Sequence, residues 1–570
     1  MTATTRLRPA VVLVVACLAL FLGCVAASWD KPLVGDMVPY LWWARAIVET
    51  GRPVIVFNPD DPPYPANMHP PLYPYLVALS FKMFGDSVRS SIYVNLVAFL
   101  ATVLVTAAIA RRLGTPPGGI ALIVAVLLVH PFAIQSTLLT DTDTSILPLA
   151  VMGYTLLLLT LKDRMTLTVT LVLGLSFGVC LWTKFTTPLA LPVVTALFLG
   201  LRGQPTLGLR AGAAILVSGV AFFLGSHAVF AAATGLSPWE PIAWPATKAR
   251  ADLTGNLASA FANVAATLKT DVLWYTPPFV LLMLAAFAWR VRRYRREGVV
   301  EGVDLVWLLG WVVYLTYTVI IPTDGRPRYK TITLVLFALA SGVTLGEVAT
   351  RLRRGRWIGF GAAIVLAALV AYYAWLPEPI AAATLLSATA DTAAKLRLSA
   401  LLAVPVVLPL AVLAALRKWP PVLAWLLLAL VATATVSDVK QARAAAPHNL
   451  FGFGLEGFEQ TVSYVRGVTH PGDIIFSFSD LPYYTRSRFY NYSVLSNGRR
   501  TVDVERLRQL AAAHDVRLLV FEIHPLRFGP ALFASRDVQD FLRADFCLLR
   551  RFGNHYVYGR RQAGLCSAPG

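Results

Sequence analysis

Four spots of ionisable residues interrupt an otherwise apolar chain. They are Asp36 in PLVGDMVPYLWWARAIVETGRP (32–53), the acidic turn TDTDTS (140–145), Lys184 in WTKFTTP (182–188), and the stretch PTDGRPRYK (322–330). Carboxylates beside cations suit two tasks. A carboxylate can take a proton from a hydroxyl nucleophile, a contribution of about 10²–10⁴-fold. Fixed cations can stabilise the negative charge that develops on a departing phosphate. An ionisable group in a bilayer costs about 2.5–3.5 kcal/mol on insertion scales, so such groups need a reason to gather. Plainer readings stand beside this one. Asp36 suits a helix cap, and TDTDTS suits the N-terminus of the run that follows it. Asp60 and Asp61, next to prolines, read as turn residues, and Arg326 reads equally well as a solvated loop cation.

The elements that must position these residues follow from composition. Of 570 residues, 57% are hydrophobic and 14% charged, and the mean hydropathy is +0.63. Soluble domains run near 45–50% apolar and about 25% charged. A spanning helix needs about 20 apolar residues. Such runs recur at 10–28, 90–110, 119–135, 145–161, 166–182, 186–201, 211–234, 276–290, 304–321, 331–350, 358–376, 398–416 and 421–437. The fold class expected is a polytopic α-helical membrane protein with about thirteen transmembrane helices by this length criterion.

The net charge of +19 sits in short loops: Arg6 and Arg8, Arg111 and Arg112, Lys162 and Arg164, Arg202 and Arg210, RVRRYRR (290–296), RLRRGR (351–356), and Arg417 with Lys418. With a cytoplasmic N-terminus, all of these loops face the cytoplasm, as the positive-inside rule requires. A nucleic-acid face would gather its charge on one folded domain instead. The same register places 29–88, 136–144, 235–275, 322–330, 377–397 and everything after 438 outside. The basic start, apolar run and VAAS (25–28) also fit a cleaved signal peptide, but the run is long for a signal core, which favours an uncleaved first helix. The five cysteines show no metal-ligand spacing. Cys547 and Cys566 share the external region and could pair, though spacing alone does not require it.

Two regions depart from the membrane pattern, which sets a transmembrane domain at 1–437 and an extracytoplasmic α/β domain at 438–570. Within the first, the external segment 29–88 reads as a helix near 36–50, an irregular stretch NPDDPPYPANMHPP (58–71), and a helix near 72–84. Tyr40 and Trp43 follow Asp36 by four and seven residues, on one helical side. Tyr40, Trp42 and Trp43 are expected to anchor the membrane interface. In the second region, 473–479 and 516–523 read as strands, 503–515 as a helix between them, and 546–560 as a terminal hairpin. That alternation argues for a small, partly parallel sheet.

An acidic residue after the first span, followed by HPPLYPYLVALSFKMFG (69–85), TKFTTPLALP (183–192) and an Arg-Tyr pair opening a late span, resembles the GT-C membrane glycosyltransferases. The similarity is to the protein O-mannosyltransferases and the lipid A aminoarabinose transferases, over roughly residues 10–350. The resemblance implies a polyprenyl-phosphate sugar donor, attacked with inversion by a lipid, glycan or protein acceptor on the outer face of the cytoplasmic (inner) membrane. It makes Asp36 the catalytic base and Asp141 and Asp143 a second acidic site. In relatives that site supports catalysis or holds a divalent metal, so a cation such as Mg²⁺ or Mn²⁺ stays open as cofactor. Lys184, Arg328 and Lys330 would hold the donor phosphate, and His69, Tyr40 and Tyr73 would line the substrate pocket. The mannosyltransferases carry Asp-Glu where this chain has Asp36-Met37, which favours a lipid or glycan acceptor over protein. The competing reading is a non-catalytic membrane protein of the same fold, a transporter of lipid-linked sugar or an envelope-assembly factor.

Overall fold

The computed structural model describes residues 3–27, 29–56, 60, 64–65, 70–239, 264, 271, 275, 277–320, 327–351, 457–470, 472–477, 480–490, 504–522 and 535–566. The expected spans at 358–376, 398–416 and 421–437 lie outside the described residues, as do His69 and Arg326. The chain forms two compact units. One comprises Met1–Asp30, Asn67–Tyr73 and Ile92–Leu450, the other Lys31–Ala66, Pro74–Ser91 and Phe451–Gly570.

The chain begins with α1 (Ala3–Ala26), a 3-10 turn (Gly35–Met37), α2 (Val38–Thr50), a short antiparallel pair β1 (Val54–Ile55) and β2 (Tyr64–Pro65), and α3 (Leu72–Phe84). Then follow α4 (Val88–Arg112), α5 (Pro117–Val129), α6 (Pro131–Thr137), α7 (Ile146–Leu161), α8 (Leu167–Leu181), α9 (Ala190–Leu201), α10 (Pro205–Thr234), α11 (Pro277–Glu297), α12 (Gly302–Leu315) and α13 (Thr331–Arg351). Every apolar run that falls on described residues is helical. Proline opens α5 and α10, where its missing N–H costs no ladder bond. Thr166 caps α8 by accepting from Val169 N–H at 3.3 Å. Among the described residues, Val88–Arg112, Pro205–Thr234 and Arg328–Glu347 are long and apolar enough to cross a membrane, alongside shorter apolar helices.

Two departures from the expected spans have local causes. The run 119–135 is broken between α5 and α6, because Pro131 cannot continue the ladder. Buried His130 caps the new start, its Nδ1 accepting from Phe132 N–H at 3.2 Å. At the other break, α12 passes into a π turn over Thr316–Ile320, a widening that re-aims the side chains that follow. Glycine lets α8 and α10 pack backbone to backbone. A Cβ on Gly219 would sit 2.6 Å from the Gly174 carbonyl oxygen, and one on Gly178 would sit 2.8 Å from that of Gly219. Part of the basic run 290–296 is internally neutralised. Arg290 makes a bidentate pair with Asp304 (2.5 and 2.6 Å), and Arg293 meets Glu301 (2.5 Å) and Glu347.

The second unit holds a five-stranded sheet. Its elements are α14 (Phe458–Val468), β3 (Ile474–Phe476), α15 (Asp480–Thr485), β4 (Arg488–Tyr490), α16 (Val504–Ala513), β5 (Leu518–Glu522), α17 (Arg536–Asp545), β6 (Phe546–Phe552) and β7 (His555–Arg560). The strand order is β4-β3-β5-β7-β6, parallel across β4, β3 and β5 and antiparallel across β7 and β6. The central strand β5, LLVFE, is buried at every position, as a strand covered on both faces must be. Cys547 on β6 forms a disulfide with Cys566.

Segments 31–66 and 74–91 belong to this unit. The indole of Trp42 stacks on Phe489 (5.9 Å) and meets Tyr483 edge-on (5.5 Å). Tyr40 and Trp43 are each 2% exposed. The expectation that the rings anchor a membrane interface is corrected for Tyr40 and Trp43, which are buried in protein, while Trp42 is half-buried against Phe489 and Tyr483.

Candidate active site

The acidic turn TDTDTS folds because its own side chains satisfy its backbone. Asp141 caps a 3-10 turn over Thr142–Thr144, accepting from Asp143 N–H at 2.9 Å. Ser145 and Thr144 hydroxyls donate to the Asp141 carbonyl at 2.6 and 3.3 Å, and Thr142 donates to the Thr183 carbonyl at 2.9 Å. The plain capping role of Asp141 is real, but it uses one carboxylate oxygen. The other, Oδ2, accepts from Arg328 Nη1 at 2.8 Å. Asp143 pairs with Lys184 Nζ at 2.5 Å. All four side chains are buried.

Each cation is carried by a break between helices. Lys184 follows α8 and precedes a 3-10 turn over Thr187–Leu189. Arg328 sits in a 3-10 turn over Pro327–Lys330 that leads into α13. Two tyrosines join them. Lys184 Nζ lies 4.3 Å from the ring centre of Tyr329 and 5.4 Å from that of Tyr317, and the two rings stack at 5.6 Å. Arg328 Nη2 donates to the Tyr329 hydroxyl at 2.8 Å. Tyr317 lies in the π turn after α12, and its hydroxyl meets Thr187 Oγ1.

The charges are coupled. Burial pushes the Asp141 carboxyl up to about 6, against the opposing pull of Arg328. Burial also works against the Lys184 ammonium, but Asp143 and the two tyrosines outweigh it, and the lysine pKa is raised. Tyr73 is fully buried and donates to Asn95 Oδ1 at 2.5 Å, while Asn95 Nδ2 reaches the Thr137 carbonyl at 3.2 Å, just before the acidic turn. Burial and the charge of Asp141 raise the Tyr73 phenol well above its ordinary value.

Lys330, grouped with the other cations in the sequence, is placed elsewhere. Its Nζ engages both carboxylate oxygens of Asp271, and the Tyr314 hydroxyl donates to the same carboxylate at 2.7 Å. Lys330 is 1% exposed. Asp271 escaped the sequence reading. Its signal was a lone acid four residues before Tyr275, whose hydroxyl reaches Lys330 O at 3.3 Å.

In the second unit, Asp36 occupies the 3-10 turn Gly35–Met37 and is exposed. It does not cap α2. Met37 holds the N-cap position, with no side-chain bond, and Pro39 lies in the first turn. The reading of Asp36 as a plain helix cap is therefore not realised. Tyr40, on α2, is buried, its ring edge-on to Trp43 at 5.6 Å. Asp60 is more than a turn residue, accepting from Tyr490 OH at 2.6 Å and meeting His514 at 2.9 Å.

The donor set at Asp141 and Asp143 does not fit a divalent cation. Each carboxylate already faces a buried side-chain cation, and no group of three His, Cys, Asp or Glu suited to a metal occurs among the described residues.

Residues 68–230 match the family model described as dolichyl-phosphate-mannose-protein mannosyltransferase. No curated protein matches the chain. Among solved structures, ArnT from Cupriavidus metallidurans bound to undecaprenyl phosphate superposes with a TM-score of 0.60 at 14% identity, over 100% of both chains. The same enzyme in the apo state gives 0.59 at 15% identity, over 98% of this chain and 99% of that one. The apo oligosaccharyltransferase of Archaeoglobus fulgidus gives 0.50 at 11% identity, over 90% of this chain and 69% of that one. The resemblance read from the motifs thus holds: the chain has the GT-C fold and is similar to ArnT and to the mannosyltransferases.

Proposed function

We propose that the chain is an integral inner-membrane glycosyltransferase that moves a sugar from a polyprenyl-phosphate carrier to an acceptor hydroxyl on the outer face. The observation that carries this reading is the buried array Asp141–Arg328 and Asp143–Lys184, with Tyr317 and Tyr329 against the lysine. Burying four charges is expensive. Alternating them keeps two cations dry, where a fixed charge is worth far more to a developing anion than in water. In the transfer, the acceptor oxygen forms a bond to the anomeric carbon as the bond from that carbon to the phosphate oxygen breaks, inverting the centre. The acceptor proton passes to Asp36, and the electron pair leaves on the lipid phosphate, stabilised by Lys184 and Arg328. Lys330 is instead paired with Asp271 and neutralises that carboxylate. The disulfide supports an outer placement for the C-terminal region, since such bonds persist in oxidising compartments.

The test is purified full-length protein with radiolabelled undecaprenyl-phosphate sugars and a lipid and glycan extract. Transfer that is lost in Asp36→Asn and in Arg328→Gln is expected. Full transfer by Asp36→Asn would remove the mechanism, and lipid translocation without transfer would assign a transporter instead.

A further inference from the structure

We propose that the C-terminal α/β region positions Asp36, through Asp480 and Tyr484 of α15; this rests on the reading of Asp36 as the acceptor base. The segment leading to Asp36 is extended at Val34. Its backbone at Leu33 and Gly35 is met by side chains from α15. The Tyr484 hydroxyl accepts from Leu33 N–H at 2.6 Å and donates to the Leu33 carbonyl at 2.8 Å. Two residues on, Gly35 N–H donates to Asp480 Oδ2 at 2.8 Å. Asp480 is 5% exposed, so this charge-assisted bond is sheltered from water.

Gly35 has a φ of 69°, in the left-handed region that glycine enters without steric cost. The residue before Asp36 is thus conformationally the freest in the turn, and the Asp480 bond fixes its amide. The far side of Asp36 is held by the same helix. Arg45 on α2 lies 3.9 Å over the Tyr483 ring, donates to the Tyr483 carbonyl at 3.2 Å, and pairs with Asp86 at 2.6 Å, while the Tyr483 hydroxyl donates to Asp86 at 2.6 Å. Residues 480, 483 and 484 therefore grip the chain on both sides of Asp36.

Chemistry requires this. A base works only within hydrogen-bond reach of its proton, and a misplacement of about 1 Å can cost about 10²-fold in rate. Asp480 and Tyr484 are positioning residues, since their contacts are to backbone rather than to reacting atoms.

Two measurements on the full-length protein in nanodiscs test this. In amide hydrogen exchange, Asp480→Ala is expected to speed exchange in 33–37 at least tenfold while the strands at 474–476 and 518–522 keep their protection. Asp480→Asn, which retains an acceptor oxygen, should restore most of it. Acceleration spread evenly over the sheet would show a merely structural role and overturn the proposal, as would unchanged exchange in 33–37. In turnover with undecaprenyl-phosphate sugars, Asp480→Ala should lower kcat about tenfold or more with the donor KM within about twofold, and the loss should not add to that of Asp36→Asn. Full kcat in Asp480→Ala overturns the positioning. Full kcat in Asp36→Asn instead sinks the base assignment, while the exchange result decides separately whether α15 holds the turn.

Discussion

Arg328 and Asp141 are 187 residues apart in sequence and meet in a 2.8 Å ion pair with both side chains buried. Removing one partner of such a pair leaves the other charged in a low-dielectric site. Arg328→Met is expected to cost about 3–5 kcal/mol at neutral pH, where it strands the ionised Asp141, and Arg328→Met with Asp141→Asn together should cost less than Arg328→Met alone. Thermal unfolding in one fixed detergent measures both; equal stability of Arg328→Met and wild type would contradict the pair.

The same carboxylate makes phosphate binding depend on pH. Asp141 titrates at about 6. Above that value it balances Arg328; below it, Asp141, Asp143, Lys184 and Arg328 together carry one positive charge. A lipid phosphate titrates in the same window, so Asp141→Asn is the reference. The affinity of wild type for undecaprenyl phosphate, relative to that variant, should rise about tenfold between about pH 7 and pH 5. For stability the sign is fixed by a folded value above the unfolded 3.8. The contribution of Asp141 is complete below that unfolded value and is lost as pH rises through about 6.

Lys184 and Lys330 should fail differently. Lys184→Met is expected to weaken undecaprenyl phosphate binding at least about tenfold, because it removes a cation held beside two tyrosines. Lys330→Met leaves Asp271 without its ammonium partner and should lower thermal stability, with phosphate affinity within about twofold of wild type. Native mass spectrometry with the lipid reads the first effect, and a melting curve the second.

The disulfide between Cys547 and Cys566 closes a loop with a sequence separation of 19. Cys566→Ser is expected to destabilise the sheet unit by about 3 kcal/mol. Maleimide labelling of protein from intact cells should modify these two thiols only after reduction; free thiols there would place the region in a reducing compartment.

How much of this was legible in the sequence depended on the range of the interaction. The helices were legible because a run such as 211–234 can satisfy its backbone only within itself. Strands 474–476 and 518–522, helix 504–513 and the hairpin 546–560 announced themselves by local period. β4 did not, since RFY is flanked by polar and charged residues that continue no apolar pattern. The acidic turn was read both as cap and as charge site, and Asp141 is both. Lys330 was grouped with Arg328 because they are two residues apart, yet a 3-10 turn sends them to different carboxylates. Asp271 and Tyr317 were missed because their partners are far away in sequence. Trp42 was partly misread for a related reason: an aromatic ring suits a lipid interface and a protein core equally, and its packing partner Phe489 lies more than 400 residues on.

That the residues around Asp36 share a compact unit with 451–570 has a consequence for biosynthesis. Translation proceeds at roughly 5–20 residues per second, so the turn waits on the order of tens of seconds before α15 leaves the ribosome. Through that interval Leu33 and Gly35 lack the side chains that later satisfy them. A nascent or prematurely terminated chain would therefore insert its helices and remain inert, and competence would arrive only with the completed polypeptide.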